Sequence, residues 1–178
     1  MKVLIIVAHP NLEDSKVNRV WKERLEQEGM VTVHDIYSEY PTGEIDVERE
    51  QSLLLKHDRI LFQFPFYWFS TPSLLKKWQD EVYTYGFAYG TGNKLKGKEY
   101  GLLISAGKPE ESYRPEGTSK HTMEQFLLPL SETVLLTEMK YLQPFILYSA
   151  PHISEKEISE SAEFLVEHVT ATTFNRLK

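Results

Sequence analysis

The stretch 3-VLIIV-7 is apolar at every position, and few folds can use such a segment. A strand with one wet face alternates apolar and polar residues. An unbroken β-branched and leucine run belongs to a strand covered on both faces, as in the middle of a parallel sheet. The remaining chain supports that reading by alternating periods. Residues 15–28 carry Val17, Val20, Trp21 and Leu25 at helical spacing behind a capping Ser15, with Gly29 as the stop, and Val31–Tyr37 reads as a second strand. A helix is expected over 47–57 around Leu53–Leu55, and a third strand over Arg59–Phe64. Thr71-Pro72 opens the next helix, with Pro72 in its first turn, running through Trp78 to about Tyr83. Then come a fourth strand at Tyr100–Ser105, a helix over about 119–138, and a fifth strand at Tyr141–Tyr148. The last helix starts at Ser154, where Ser154 and Glu157 form a capping box.

Five strands separated by helices imply βαβ crossovers and a parallel sheet with helices on both faces. The 178 residues suit one domain, 1–178, with strand order 2-1-3-4-5. Ligands in such sheets sit beyond the carboxyl ends of the strands, near the switch between strands one and three. That rule selects three loops, 8–18, 64–71 and 105–121.

Composition narrows the chemistry. A net charge of −6 with no basic stripe argues against nucleic acid. Cysteine is absent, which removes disulfides, thiolate nucleophiles, iron–sulfur clusters and cysteine zinc sites, and fits a reducing compartment. Seven residues separate Lys2 from His9-Pro10, too short a run for a membrane span, and no small-residue cleavage site follows. The expected location is cytoplasmic. His34, His57, His152 and His168 show no ligand spacing, so no metal is assigned, and no G-x-S-x-G elbow is present. Gly92–Lys98 matches most of a P-loop, but Glu99 stands where a Ser or Thr should hold magnesium and the segment precedes a strand. Gly90-Thr-Gly92 fails as a dinucleotide fingerprint because Leu95 occupies the third glycine position. Both read as loop.

Each of the three loops has a plain reading and a chemical one. In 8-AHPNLEDSKVN-18, Ser15 could merely cap a helix. At a switch point, the helix N-terminus together with Ser15, Asn18, His9 and Lys16 instead suits an anion, with Glu13 and Asp14 opposed to it if they point inward. In the second loop, Phe64, Phe66, Tyr67, Trp68 and Phe69 crowd around Pro65. Phe62 and Phe64 belong to the core strand, whereas Phe66–Phe69 lie past its end and need a cover, either a partner subunit or a planar ligand. In 105-SAGKPEESYRPEGTSKH-121, Gly107 permits close approach of backbone to ligand, and Tyr113 and His121 could balance charge during hydride transfer. The plain alternative is a solvated loop. A further aromatic run, 83-YTYGFAYGTGN-93, suits an interface or pocket wall.

Taken together, AHPN…S-x-x-N at 8–18, the block P-x-x-W-[FY]-x-x-P-x-x-L-K-x-W at 65–78, and SAGKPEESY at 105–113 resemble the NAD(P)H:quinone oxidoreductase family of flavodoxin-like dehydrogenases. The likeness runs from Val3 to about Tyr148, and points to the short bacterial branch with general-stress oxidoreductases and ancillary proteins of glutathione-gated potassium efflux. It implies a flavodoxin-like three-layer sandwich and a bound flavin, FMN in preference to FAD, since no segment is evident for an adenosine half. The flavin phosphate would meet His9, Ser15, Lys16, Val17 and Asn18. The ring would lie on Pro65, Phe66, Tyr67, Trp68 and Phe69, with Ala106, Gly107 and Tyr113 completing the pocket. Tyr113 matches the family's assisting tyrosine. His121 takes the histidine position if two residues are inserted, and Ser119 takes it if none are. Lys108 stands where relatives often have glycine, which places a positive charge beside the reduced flavin or a cofactor phosphate. The resemblance further implies a homodimer, NAD(P)H as hydride donor, a quinone-like acceptor, and a substituted-enzyme order in which donor leaves before acceptor enters. Two alternatives stay open: a regulatory flavoprotein subunit docking peripherally on a membrane transporter, and a flavodoxin-like electron carrier.

Overall fold

The computed structural model describes residues 1–172; the expected domain's last residues, 173–178, lie outside the described residues. Strand β1 (Val3–Val7) is completely buried. It pairs in parallel with β2 (Val31–Asp35) on one side and β3 (Arg59–Pro65) on the other, and β4 (Glu99–Ser105) follows β3. The outer position beside β4 is shared by β5 (Lys140–Tyr141) and β6 (Phe145–Leu147). The order is therefore 2-1-3-4-5 as expected, in a six-stranded sheet. The expected continuous fifth strand is broken at Gln143-Pro144, since proline has no N–H to give the ladder.

Two apolar layers flank the sheet. Val3, Ile5, Val7, Leu61 and Leu103 pack against α1 (Lys16–Leu25) and α6 (Glu155–Thr170). Leu4, Ile6, Ile60, Phe62 and Phe64 face α2 (Ile36–Glu39), α3 (Val47–Leu55), α4 (Ser73–Val82) and α5 (Met123–Leu136). Burying each large aliphatic side chain of β1 stabilises by roughly 1.5–3 kcal/mol, so this strand anchors both layers.

Several boundaries shift for local reasons. Helix α1 ends at Leu25, because Gln27 and Glu28 turn back with short-range bonds to Arg24 and Leu25, and Gly29 lies beyond it. Strand β2 stops at Asp35, whose carboxylate accepts the Tyr37 and Ser38 amides and starts α2 instead. Pro72 sits at the N-cap of α4, one place before the expected first turn. Helix α5 begins at Met123 and not near 119, because Thr122 and Gln125 form its capping box. The capping box expected at Ser154 and Glu157 is formed.

The parallel register aligns the strand ends. Val7 pairs with Gln63, Pro65 with Ser105, and Ser105 with Leu147. The loops after β1, β3, β4 and β6 therefore emerge on one edge.

Candidate functional site at the carboxyl edge of the sheet

A cleft of about 400 Å³ opens on this edge between the loops after β1, β3, β4 and β6, within the range of roughly 300–1,000 Å³ usual for small-molecule sites. His9, Asp14, Ser15, Lys16, Val17 and Asn18 line one end; Pro65, Phe66, Tyr67, Ser105 and Gly107 line the other, with Ala150 and Pro151 beyond.

The first end is built from the start of α1. Ser15 caps the helix, its Oγ accepting the Asn18 amide at 3.1 Å. The amides of Lys16 and Val17 precede any intrahelical partner, and no acceptor outside the helix engages them among the described residues. Two N–H groups and a hydroxyl thus converge where the helix dipole is positive, with Lys16 in the lining, which is a geometry for an anion. Asp14 also lines the cleft and accepts from Asn11 Nδ2 at 2.6 Å, whereas Glu13 faces a separate groove on the other side of the loop. His9, which the sequence alone would let add positive charge here, favours its neutral form. Burial pushes its pKa down against the opposing pull of Asp35. Nδ1 accepts the Asn11 amide at 3.1 Å, so neutral His9 carries its proton on Nε2 as a further donor.

Beneath this end lies a buried amide relay. Asn18 Nδ2 donates to Ser105 Oγ at 2.8 Å, and Gln63 Nε2 donates to the Asn18 carbonyl at 2.9 Å. Gln63 is wholly buried, and its Oε1 has no partner. A buried orphan acceptor costs about 1–3 kcal/mol, so its retention directly behind the cleft-lining Asn18 suits a site that receives a further polar group.

At the second end, the chain leaves β3 through a tight turn. The Ser70 amide donates to the Tyr67 carbonyl at 3.0 Å, and the two central residues, Trp68 (φ 49°) and Phe69 (φ 63°), are both left-handed. This is the conformation of a type I′ turn, which favours Asn-Gly. The four expected ring-holding aromatics are thereby divided. Phe66 and Tyr67 line the cleft; Trp68 is thrust out to 93% exposure; Phe69 lies stacked on Phe126 with centroids 5.1 Å apart.

Loop 106–122 is folded back on itself, unlike a solvated segment. Ser119 N–H bonds the Ser112 carbonyl at 3.0 Å, and a Cβ on Gly117 would stand 2.3 Å from the Glu111 oxygen. The fold buries Tyr113 against Phe66 (6.0 Å) and Tyr148 (5.6 Å). Burial raises the Tyr113 pKa, with partial compensation from the Lys108 amide, so the phenol is protonated at neutral pH. His121 contacts Phe126 edge-on at 5.7 Å, while Ser119 accepts from Lys108 Nζ at 3.2 Å. Tyr113, Ala106 and His121 stand outside the cleft lining, the first two buried and behind it; Gly107 lines it, and a Cβ there would meet nothing within 4 Å. The motif reading gave no role to Gln63, Phe126, Ala150 or Pro151. Gln63 was discoverable as the one amide inside an apolar strand, and Ala150-Pro151 by extending the strand-end rule to the last strand; the helical period around Phe126 marks only core.

The rejected glycine motif lies elsewhere. Gly97 turns the chain into β4 with φ 78°, and Lys98 Nζ is held by the His57 carbonyl at 2.5 Å.

The family model described as flavodoxin-like fold (Flavodoxin_2) matches residues 1–169. Among relatives, the protein named uncharacterized NAD(P)H oxidoreductase YrkL of Bacillus subtilis (strain 168) is 50% identical over 96% of this chain and 99% of its own. The glutathione-regulated potassium-efflux system ancillary protein KefG of Pectobacterium carotovorum is 42% identical over 90% and 88%. A crystal structure of general stress protein 14 from Treponema denticola in complex with FMN superposes with a TM-score of 0.90 at 39% identity, covering 93% of this chain and 96% of that one. An NADPH-quinone reductase from P. pentosaceus gives 0.89 at 33%, covering 97% and 100%.

Proposed function

The chain belongs to the flavodoxin-like fold family Flavodoxin_2, and from that premise we propose that it is an FMN-holding NAD(P)H oxidoreductase that delivers two electrons to a quinone. The observation that carries this reading is the two-ended cleft, with an anion cradle at the start of α1 and, opposite it, the aromatic Phe66 and Tyr67 after β3 beside Ser105 and Gly107 at the end of β4. A solved relative of the same fold holds FMN, and another is named for NADPH and quinone.

The residues fit the cofactor. Ser15, the Lys16 and Val17 amides, the Lys16 ammonium and Asn18 would hold the phosphate, with His9 Nε2 as an extra donor. Pro65, Phe66, Tyr67 and Gly107 would face the ring, backed by Ala106 and Tyr113, with Trp68 and Phe69 closing over it from the turn. When bound, FMN supplies the two-electron chemistry between NAD(P)H and a quinone that side chains lack. The protein contributes orientation, exclusion of water by the Phe66–Phe69–Phe126 cluster, and a protonated phenol at Tyr113 that balances charge. His121, against Phe126, or Ser119, against Lys108, would be a second proton or hydrogen-bond source from the same loop. The exposed Trp68, Tyr85, Leu128, Leu135 and Leu136 support a homodimer as the working unit. No helix among the described residues is long and apolar enough to cross a membrane, which suits a cytoplasmic enzyme.

Steady-state oxidation of NAD(P)H at several quinone concentrations tests the reading. Donor and acceptor using one cleft in turn predict parallel double-reciprocal lines; intersecting lines contradict a shared cleft. The identity to KefG favours a second reading, a regulatory subunit docked on a potassium-efflux protein. Co-purification with that transporter, together with negligible quinone turnover, would select it.

A further inference from the structure

We propose that Lys108 sets the redox potential of the flavin held in this cleft, its ammonium favouring the reduced, negatively charged form. The inference rests on the FMN reading above and decides between the two charges left open for Lys108 by the sequence, the reduced flavin and a cofactor phosphate.

The backbone of Lys108 is held by the Ser149 amide, which donates to its carbonyl at 3.1 Å. The preceding residue, Gly107, lines the cleft, so the Lys108 side chain starts at the cleft's edge. From there it runs to Phe69, whose ring lies 6.4 Å from that of the cleft-lining Phe66. Nζ lies 5.3 Å from the centroid of Phe69 and 3.2 Å from Ser119 Oγ. Both partners are neutral. Glu110, the nearest acidic residue in sequence, pairs with Arg114 at 3.7 Å instead. Among the described residues the Lys108 charge therefore has no carboxylate to cancel it, and it is half-buried, where solvent screens it less than at an open surface.

The anion cradle at α1 lies at the other end of the cleft, with its own Lys16. A second cation, beside Phe69 and one residue from the cleft-lining Gly107, answers to a different charge. A hydride carries two electrons and one proton; the donor's C–H bond breaks, the dihydronicotinamide leaves as NAD(P)+, and the neutral ring that takes the hydride gains one negative charge. A fixed positive charge nearby stabilises that product over the oxidised ring, which raises the two-electron potential. If Lys108 were only a strap between loop 106–122 and the aromatic turn, an uncharged hydrogen-bonding side chain would serve and the potential would not move.

The test is a redox titration of the FMN-loaded protein with dithionite against a reference dye, for wild type, Lys108→Gln and Lys108→Arg. In Lys108→Gln, the preference for reduced over oxidised FMN is expected to fall at least tenfold, a midpoint about 30 mV lower, with oxidised FMN still bound. Lys108→Arg should stay within threefold of wild type. Lys108→Gly reads the same ratio should the Gln variant fail to fold. A ratio within twofold of wild type in FMN-loaded Gln or Gly protein overturns the role of Lys108 alone. Wild-type protein that takes up no FMN overturns the function on which it rests.

Discussion

Trp68 and Phe69 hold left-handed backbone at consecutive positions, where an L-residue costs about 1–2 kcal/mol each relative to the right-handed form. Glycine or asparagine would make the same turn with less strain, so the rings themselves justify the conformation. Trp68→Gly should therefore stabilise the cofactor-free protein by roughly 0.5–1 kcal/mol after allowing for glycine's freer unfolded chain, read as a rise of a few degrees in Tm. The same variant should hold FMN less tightly. Loss of both stability and affinity would contradict the strain account. Tyr113 calls for the opposite kind of variant. Its phenol is buried and protonated, so Tyr113→Phe should retain flavin and slow turnover by roughly a hundredfold, at the low end of the range for a single proton donor. Wild-type turnover would remove Tyr113 from the mechanism.

Among elements, α1 and α3 carry the clearest consequences. Removing the α1 cap with Ser15→Ala should cost about 1 kcal/mol of stability and weaken FMN binding together, because one oxygen serves both the helix and the cradle. Helix α3 is tied down by Glu50, whose buried carboxylate accepts from His34 Nε2 (2.8 Å), Trp78 Nε1 (2.8 Å) and the Tyr40 hydroxyl. Burial alone would raise the Glu50 pKa, but these donors outweigh it and hold it below the usual 4.5. A depressed folded pKa gives stability that is full above the unfolded value and is lost as pH falls through the folded one. The melting temperature should thus drop below about pH 4.5 more steeply in wild type than in Glu50→Gln; equal slopes would contradict the assignment. Elements were legible where one local signal dominated, as at the Ser154–Glu157 box and the all-apolar β1. They were misread where two signals competed. Ser119 resembles a helix start but is held in the loop by Lys108 and Ser112, and Tyr141–Tyr148 has strand composition yet contains Pro144.

Across the whole molecule, the parallel register brings four loops to one edge, and the period of the apolar residues was sufficient to foresee that edge and the three loops named for it. The division of labour within those loops was not legible. Which aromatic faces the cleft, which stacks on Phe126 and which is left in solvent depends on turn dihedrals and on a helix contact far along the chain. The exposed Trp68 and the α5 leucines Leu128, Leu135 and Leu136 belong to assembly scale. Sedimentation should find a dimer, and charged replacements at Leu135 and Leu136 should shift it to monomer; a wild-type monomer at micromolar concentration would contradict this. The central claim is the flavin cleft, and its most direct measurement is the absorption spectrum of the purified protein, followed by heat release and mass determination of the chromophore. The account predicts a yellow protein, or a colourless one that turns yellow with added FMN, and a released mass equal to FMN. A colourless protein that binds neither FMN nor FAD would contradict it.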